Sequence, residues 1–372
     1  MNTAGRLICF VSACGSAAIG QAIPATTPAV VADVYVLSAP ANVGDVGRIT
    51  SFTAAANGHL TPTASPMVNS TADSLALNGK WLFTSDRNKQ VISSYRIAAN
   101  GSLSLVDQMN LGYQPNNVFL DHTGRNLYAN IFFGSGYETF SIDQANGKLT
   151  SVNMLNYQVT DNTYLTFTGN NEYAYGATNY QQTATVNGFL RQADGSLTVV
   201  PTNFGVIPTP ADPNREQYFA IDGGAADPYN DLVVAFQDFN FFTGQFVKTQ
   251  LAVYTVDAFG NLTTTSTAAN MASVDTFTRG LAMSPHGYYL AATGNGLQIF
   301  LMHGAKQVTA LTAPILSNIS MGRAFWDNKE HLYVPAADSL YVFSVGTSGV
   351  KQVPGSPFHV QGATNVIVLP KQ

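Results

Sequence analysis

The residues with the clearest chemical use are two arginines, two carboxylates and a set of amides that recur at one point of a repeating unit. Arg279 and Arg323 each precede an apolar run, at 281–283 and 324–326. An arginine there offers a rigid fork of donors suited to a carboxylate or a phosphate. Asp73, Asn116, Asn117, Tyr164 and Gln217 stand at the same point of other units, with Arg215 and Glu216 just before Gln217. Glu216 and Asp73 are the candidates for a general base; Arg279, Arg323, Asn116, Asn117, Tyr164, Arg215 and Gln217 are the candidates for binding. Brought together, they would hold a small anionic or hydroxylated molecule. The plain alternative is a wet opening that needs polar residues and binds nothing. Other chemistry has weak support. His59, His122, His286, His303, His331 and His359 are scattered at no metal-ligand spacing, and His122 and His286 fall in turns expected to face solvent. Asp222, Asp227 and Asp231 fit no calcium-loop rule. There is no Gly-x-Ser-x-Gly elbow and no phosphate-binding glycine loop. No metal and no cofactor is expected.

The elements that must position this ring are legible as a repeat. Ala56-Asn57-Gly58-His59-Leu60 returns as Ala99-Asn100-Gly101-Ser102-Leu103, Ala145-Asn146-Gly147-Lys148-Leu149, Ala193-Asp194-Gly195-Ser196-Leu197 and Ala258-Phe259-Gly260-Asn261-Leu262. Worn copies surround Gly304 and Gly349. A period of roughly 40–50 residues built from short strands and glycine turns marks a β-propeller. The expected fold is all-β: a seven-bladed β-propeller of four-stranded antiparallel blades. The chain starts in the second strand of its first blade, and the missing first strand reads as 366–369. Pairing the N- and C-terminal strands would close the ring and remove two open edges. The first strand of each blade would line the channel, with the polar ring at its mouth. The fifth unit is longer by about 20 residues, in two places. One is 208–216, with three prolines; the other is 237–250, with Phe239, Phe241, Phe242 and Phe246. Long loops on rigid scaffolds often carry function, but these aromatics are expected to cover a neighbouring blade. Gly223-Gly224 and Gly294-Asn295-Gly296 read as turns.

Composition sets the outer limits. The chain has 372 residues, only 10% of them charged, and a net charge of −5. Without a basic patch, nucleic acid is not an expected partner. Both cysteines, Cys9 and Cys14, lie near the N-terminus, so thiolate chemistry is not expected in the folded part. Residues 1–22 read as an export signal and 23–372 as a single propeller domain. Val11-Ser12-Ala13-Cys14 is similar to a bacterial lipobox, which would lipidate Cys14; Gly20-Gln21-Ala22 offers a signal-peptidase site instead. The expected location is outside the bacterial cytoplasm, as a periplasmic or cell-surface lipoprotein or a secreted protein. A lipid anchor would be its one tie to the membrane.

Three phrases carry a family resemblance. Leu281-Ala282-Met283-Ser284-Pro285-His286-Gly287-Tyr288-Tyr289-Leu290 is similar to a strand, Ser-Pro-Asp-Gly, strand unit. The Asn-Gly-x-Leu turns and Pro354-Gly355-Ser356-Pro357-Phe358 are the others. Over roughly residues 30–370 the chain resembles the lactonase-type seven-bladed propellers, which include the 6-phosphogluconolactonases of the cycloisomerase-2 group and the YVTN repeat proteins. The resemblance implies His, Glu and Arg at the channel mouth of a lactone hydrolase. Here Pro115-Asn116 stands in place of Pro-His, Tyr164 where a histidine is expected, and Ala177-Thr178-Asn179 in place of a glutamate. Only Arg279 matches. Asparagine cannot act as a general base, and losing one typically removes about 10²–10⁴ in rate. The expectation is therefore a propeller that binds a small polar or anionic ligand, or a cell-surface partner, at its channel. The alternative is a lactone hydrolase with Glu216 or Asp73 as base and Arg279 and Arg323 as anion holders.

Overall fold

The computed structural model describes residues 29–371, except 41–45, 64–66, 133–135, 157–163, 181–182, 201–205, 276–277 and 305. Cys14 and the rest of 1–28 lie outside the described residues. The described chain is all-β, in seven small antiparallel sheets. Blade 2 gives the pattern: Ser74–Leu77 innermost, then Trp81–Asp86, Val91–Ile97 and Leu103–Asn110. The innermost strands of blades 3 to 7 are Pro115–Leu120, Thr166–Phe167, Glu216–Ala226, Thr278–Met283 and Phe325–Trp326. Blade 6 reaches the same count by a long strand, Tyr289–Met302, that doubles back on itself. The Met302 N–H donates to Tyr288 O at 3.0 Å, and Gly296 has φ +118°. The turn expected around Gly296 is there.

Blade 1 is shared between the chain ends. Its innermost strand is Ala363–Pro370, paired antiparallel with Val30–Ser38, so that Val34 faces Val368 and Val36 faces Val366. The expected closure of the ring is what the chain does. Each pair of successive blades buries its own apolar cluster. Tyr35, Leu37, Leu75 and Leu82 join blades 1 and 2, and Val34, Val36, Tyr333 and Leu340 join blades 7 and 1. Strands packed on both faces in this way read as near-continuous apolar runs.

The repeated glycine phrase works between blades as well as within one. Gly101, Gly195 and Gly260 have φ of +79°, +91° and +79°, a region glycine enters freely. Each glycine's carbonyl accepts a tyrosine hydroxyl from the second strand of the preceding blade. The pairs are Tyr35 to Gly101 at 3.1 Å, Tyr128 to Gly195 at 2.7 Å and Tyr175 to Gly260 at 2.7 Å. Trp81 of blade 2 covers Gly147 of blade 3 by packing, its ring 2.5 Å from where a Cβ would stand. On the same end of the ring, the turns after the inner strands are linked from blade to blade. Asn171 Oδ1 accepts the His122 N–H, Asn230 Oδ1 accepts the Asn170 N–H, both at 3.0 Å, and Glu330 Oε1 lies 2.7 Å from His286 Nδ1. Asp227, considered above for calcium, takes the N–H groups of Tyr229 and Asp231 on Oδ1.

Candidate functional site

The inner strands enclose two adjoining cavities of about 420 and 340 Å³ along the channel. Both are walled by Phe119, Leu165, Leu281 and Phe325, and both reach His122, Thr166 and Arg323. The larger adds Tyr164 and the 223–226 segment; the smaller adds Ser74 and Asn365. Such volumes suit a small organic ligand.

Small residues make room for the large ones. Gly223-Gly224 is not a turn: it lies inside Glu216–Ala226, where the strand register slips between Ala220 and Gly224. A Cβ on Gly224 would stand 2.1 Å from the Tyr164 ring. Glycine is there for close approach. Tyr164 is buried at 4% exposure, and its carbonyl accepts the Tyr137 hydroxyl at 3.0 Å. Gly280 plays the same part for Arg323, whose Cγ lies 2.9 Å from the place a Cβ would take. The arginine stem thus crosses the backbone of blade 6 to reach the channel wall.

Of the expected site residues, the structure gathers Tyr164 and Arg323 in the channel wall. The Arg279 backbone is in Thr278–Met283, but its side chain lies outside the described residues. The others line neither cavity. Asp73 accepts the Arg87 N–H at 2.8 Å, with its guanidinium 3.8 Å away, and that guanidinium lies over Phe132. The Asn116 carbonyl takes the Ser85 hydroxyl, and the Asn117 N–H donates to Asn130 Oδ1. Gln217 pairs with Phe239 in the strand register. Arg215 is exposed, paired with Asp212 at 3.7 Å and set over the Phe242 ring. Glu216 Oε2 accepts the Asp212 N–H at 3.1 Å, holding the turn that precedes its own strand.

The long hairpin of blade 5, Asp231–Asn240 and Gln245–Val256, does not spend its aromatics on a neighbouring blade. Phe239 and Phe246 pack on each other and on Phe219 of the same sheet. Phe241, Phe242 and Phe246 remain exposed. Beneath them, Asp238 faces Tyr218 and Lys248 across the strands. It is fully buried, and neither carboxylate oxygen meets a donor. Burial first, and the charge of Glu216 second, push its carboxyl up to about 6, with Lys248 opposing.

His122 follows an inner strand and is exposed, as its turn position implies, and it also borders both cavities beside Phe167. Desolvation lowers its pKa, while a hydrogen bond to the Gly169 backbone and the charge of Asp121 raise it. The net shift is downward, so the imidazole is neutral at pH 7 and able to take a proton. The periodic position of His122 in its unit was the available signal.

Comparison with known proteins agrees with this architecture. A family model described as "Lactonase, 7-bladed beta-propeller" matches residues 32–156. A 6-phosphogluconolactonase of Serratia proteamaculans (strain 568) is 34% identical over 76 residues, which are 20% of this chain and 23% of that protein. The match thus spans under a quarter of that relative. A putative 6-phosphogluconolactonase from Bacteroides uniformis superposes with a TM-score of 0.67 at 14% identity, covering 92% of this chain and 100% of the other. The periplasmic gluconolactonase of Pseudomonas aeruginosa gives 0.62 at 17% identity, covering 91% and 99%. At these identities the solved structures establish the fold alone. The lactonase-type resemblance holds in sequence over the first three blades, and the propeller fold is shared over nine-tenths of the chain.

Proposed function

We infer that this lactonase-type propeller binds a small anionic ligand in its central channel, held by Arg323, without the general base a lactone hydrolase would use. The observation that carries the reading is the position of Arg323, in the wall of both cavities and among apolar side chains. A guanidinium in such a setting interacts with a carboxylate more strongly than it would in water. The residues at the positions of a family base support the binding reading. Asn116 and Tyr164 cannot take up a proton at neutral pH. Asn179, in the expected place of a glutamate, spends both ends of its amide on the Ala220 backbone, at 2.8 and 2.9 Å. The reading includes export through residues 1–22, with Cys14 lipidated or the signal cleaved, and it allows a cell-surface partner as the occupant of the mouth.

Lactone hydrolysis is the second reading, and His122 is the observation in its favour: a neutral imidazole on the same channel as a cation. One experiment separates the two. Proton release is followed on sugar-derived and aromatic lactones, beside calorimetric titration with the corresponding hydroxy acids. Binding without turnover, weakened at least tenfold in Arg323→Gln, is the expected result. Turnover well above the buffer rate, lost in His122→Asn, would replace it with the hydrolase.

A further inference from the structure

Away from the channel, the outer half of blade 5 is an incomplete sheet. Ala272–Val274 pairs antiparallel with the strand Gln245–Val256, so that Thr249 faces Val274 and Leu251 faces Ala272. The pairing stops at Thr249. Among the described residues no strand lies beside the outer edge of 245–248, while the inner edge is paired with Asp231–Asn240. An open strand edge presents a row of backbone donors and acceptors. A groove of about 370 Å³ runs along this edge, lined by Gln237, 246–249 and 273–275. Two of its side chains are unusual. Gln237 and Thr249 face each other across the strands and are only 7% and 4% exposed. Neither side chain has a hydrogen-bond partner among the described residues. Buried amides and hydroxyls are ordinarily paired, and an unpaired one is costly. Both line the groove, so an occupant there would supply the partners they lack.

We propose that this groove binds an extended peptide of another protein, which adds to blade 5 as a short strand in line with Ala272–Val274. The peptide backbone pairs with the open edge of 245–248, and a polar side chain of the peptide meets the Gln237 amide and the Thr249 hydroxyl. A small polar molecule would fill the volume and leave the strand edge bare. The rim sets the rest of the partner's chemistry. Phe246 and Val247 are 55% and 51% exposed at the lip and offer apolar contact. Asp275 is exposed at the other end and brings a carboxylate there. The fitting segment therefore alternates polar and apolar residues and carries a lysine or arginine at its N-terminal end, beside Asp275. A lysine and a bulge at a strand edge guard against indiscriminate pairing. Both occur here, at Lys248 and between Asp238 and Phe239, so a partner must bring side chains that fit. The proposal is independent of what the channel holds.

The test titrates the whole protein into a labelled, end-capped peptide of sequence Lys-Val-Thr-Ile-Thr-Val and follows fluorescence anisotropy, with hydrogen exchange on the complex. Saturable binding is expected, with exchange slowed at least fivefold within 245–248. A strand uses the N–H groups of alternate residues to pair with an edge. Of two peptides N-methylated on odd or on even residues, one should therefore bind at least tenfold more weakly than the other. Thr249→Val and Gln237→Leu should each weaken binding at least fivefold and leave the melting temperature unchanged or higher, because a group without a partner contributes no hydrogen bond to the fold. A lower melting temperature with unaltered binding would assign these side chains to the fold and overturn the proposal. Equal binding of the two methylated peptides, or none of the parent peptide at millimolar concentration, overturns it as well. So does a dimer seen by sedimentation that Val247→Pro dissolves, since a second copy of the chain would then own the edge.

Discussion

Tyr164 owes its place in the channel wall to a residue without a side chain. The backbone of Gly224 runs against its ring, and a methyl group there would stand 2.1 Å from a ring carbon. Gly224→Ala should therefore destabilise the protein by about 1–3 kcal/mol through overpacking. It should also displace Tyr164 and weaken ligand binding, both readable from a melting curve and one titration. An unchanged melting temperature would mean that the ring moves aside at no cost. This pair also marks how far single residues could be read in advance. Arg323 was legible because it falls at a fixed point of the repeat, just ahead of an apolar run. Gly223-Gly224 was not, because a glycine pair is ordinarily a turn signal, and only the neighbouring blade reveals that the glycines serve contact. His122 is exposed as its turn position implies, and only the structure adds that this turn borders the channel.

Among the elements, the blade 5 hairpin is the one that departs from its siblings, and its pH response should be distinctive. Asp238 is buried between strands with its carboxyl raised to about 6, from an ordinary value of 3.8. A carboxyl with a raised folded-state pKa favours folding while it is protonated. Its contribution is lost as pH rises from about 4 through 6, and above that the folded state carries a buried charge near Glu216. The cost is of order 1–2 kcal/mol. Asp238→Asn should match the unaltered protein in melting temperature near pH 4.5 and exceed it by several degrees at pH 8. A gap that stays constant with pH would show that Asp238 is already ionised at the lower value. The strand grammar of this blade could be read from its alternating apolar residues. The carboxyl facing its neighbours could not, because the sequence places Glu216 and Asp238 far apart and only the strand register brings them to one face.

At the scale of the whole molecule, the seven-fold period was the most legible property, and the structure supplies its cause. At Gly101, Gly147, Gly195 and Gly260 the glycine turn of one blade is the seat of a tyrosine or tryptophan from the blade before it, and at Gly58 that place is taken by His331 and Val353. Ring closure was legible too, from a strand missing at one end and surplus at the other. Removing residues 361–372 takes away Val366, Ile367 and Val368, each less than 7% exposed, together with the Lys371–Asp33 contact at 3.0 Å. The truncated protein should lose its single cooperative melting transition, or melt more than 10 °C lower, because both the blade 7–1 and the blade 1–2 clusters lose a wall. If only a minor low-temperature transition appeared and the main one held, the ring would not depend on its clasp.

The shared blade also imposes an order in time. Val30–Ser38 leaves the ribosome well before its partner Ala363–Pro370. Joining them closes a loop of roughly 330 residues, at an entropic cost that grows only slowly with length and arises once Ala363–Pro370 has been made. Until then the earliest strand waits with one edge unpaired, open to any passing chain.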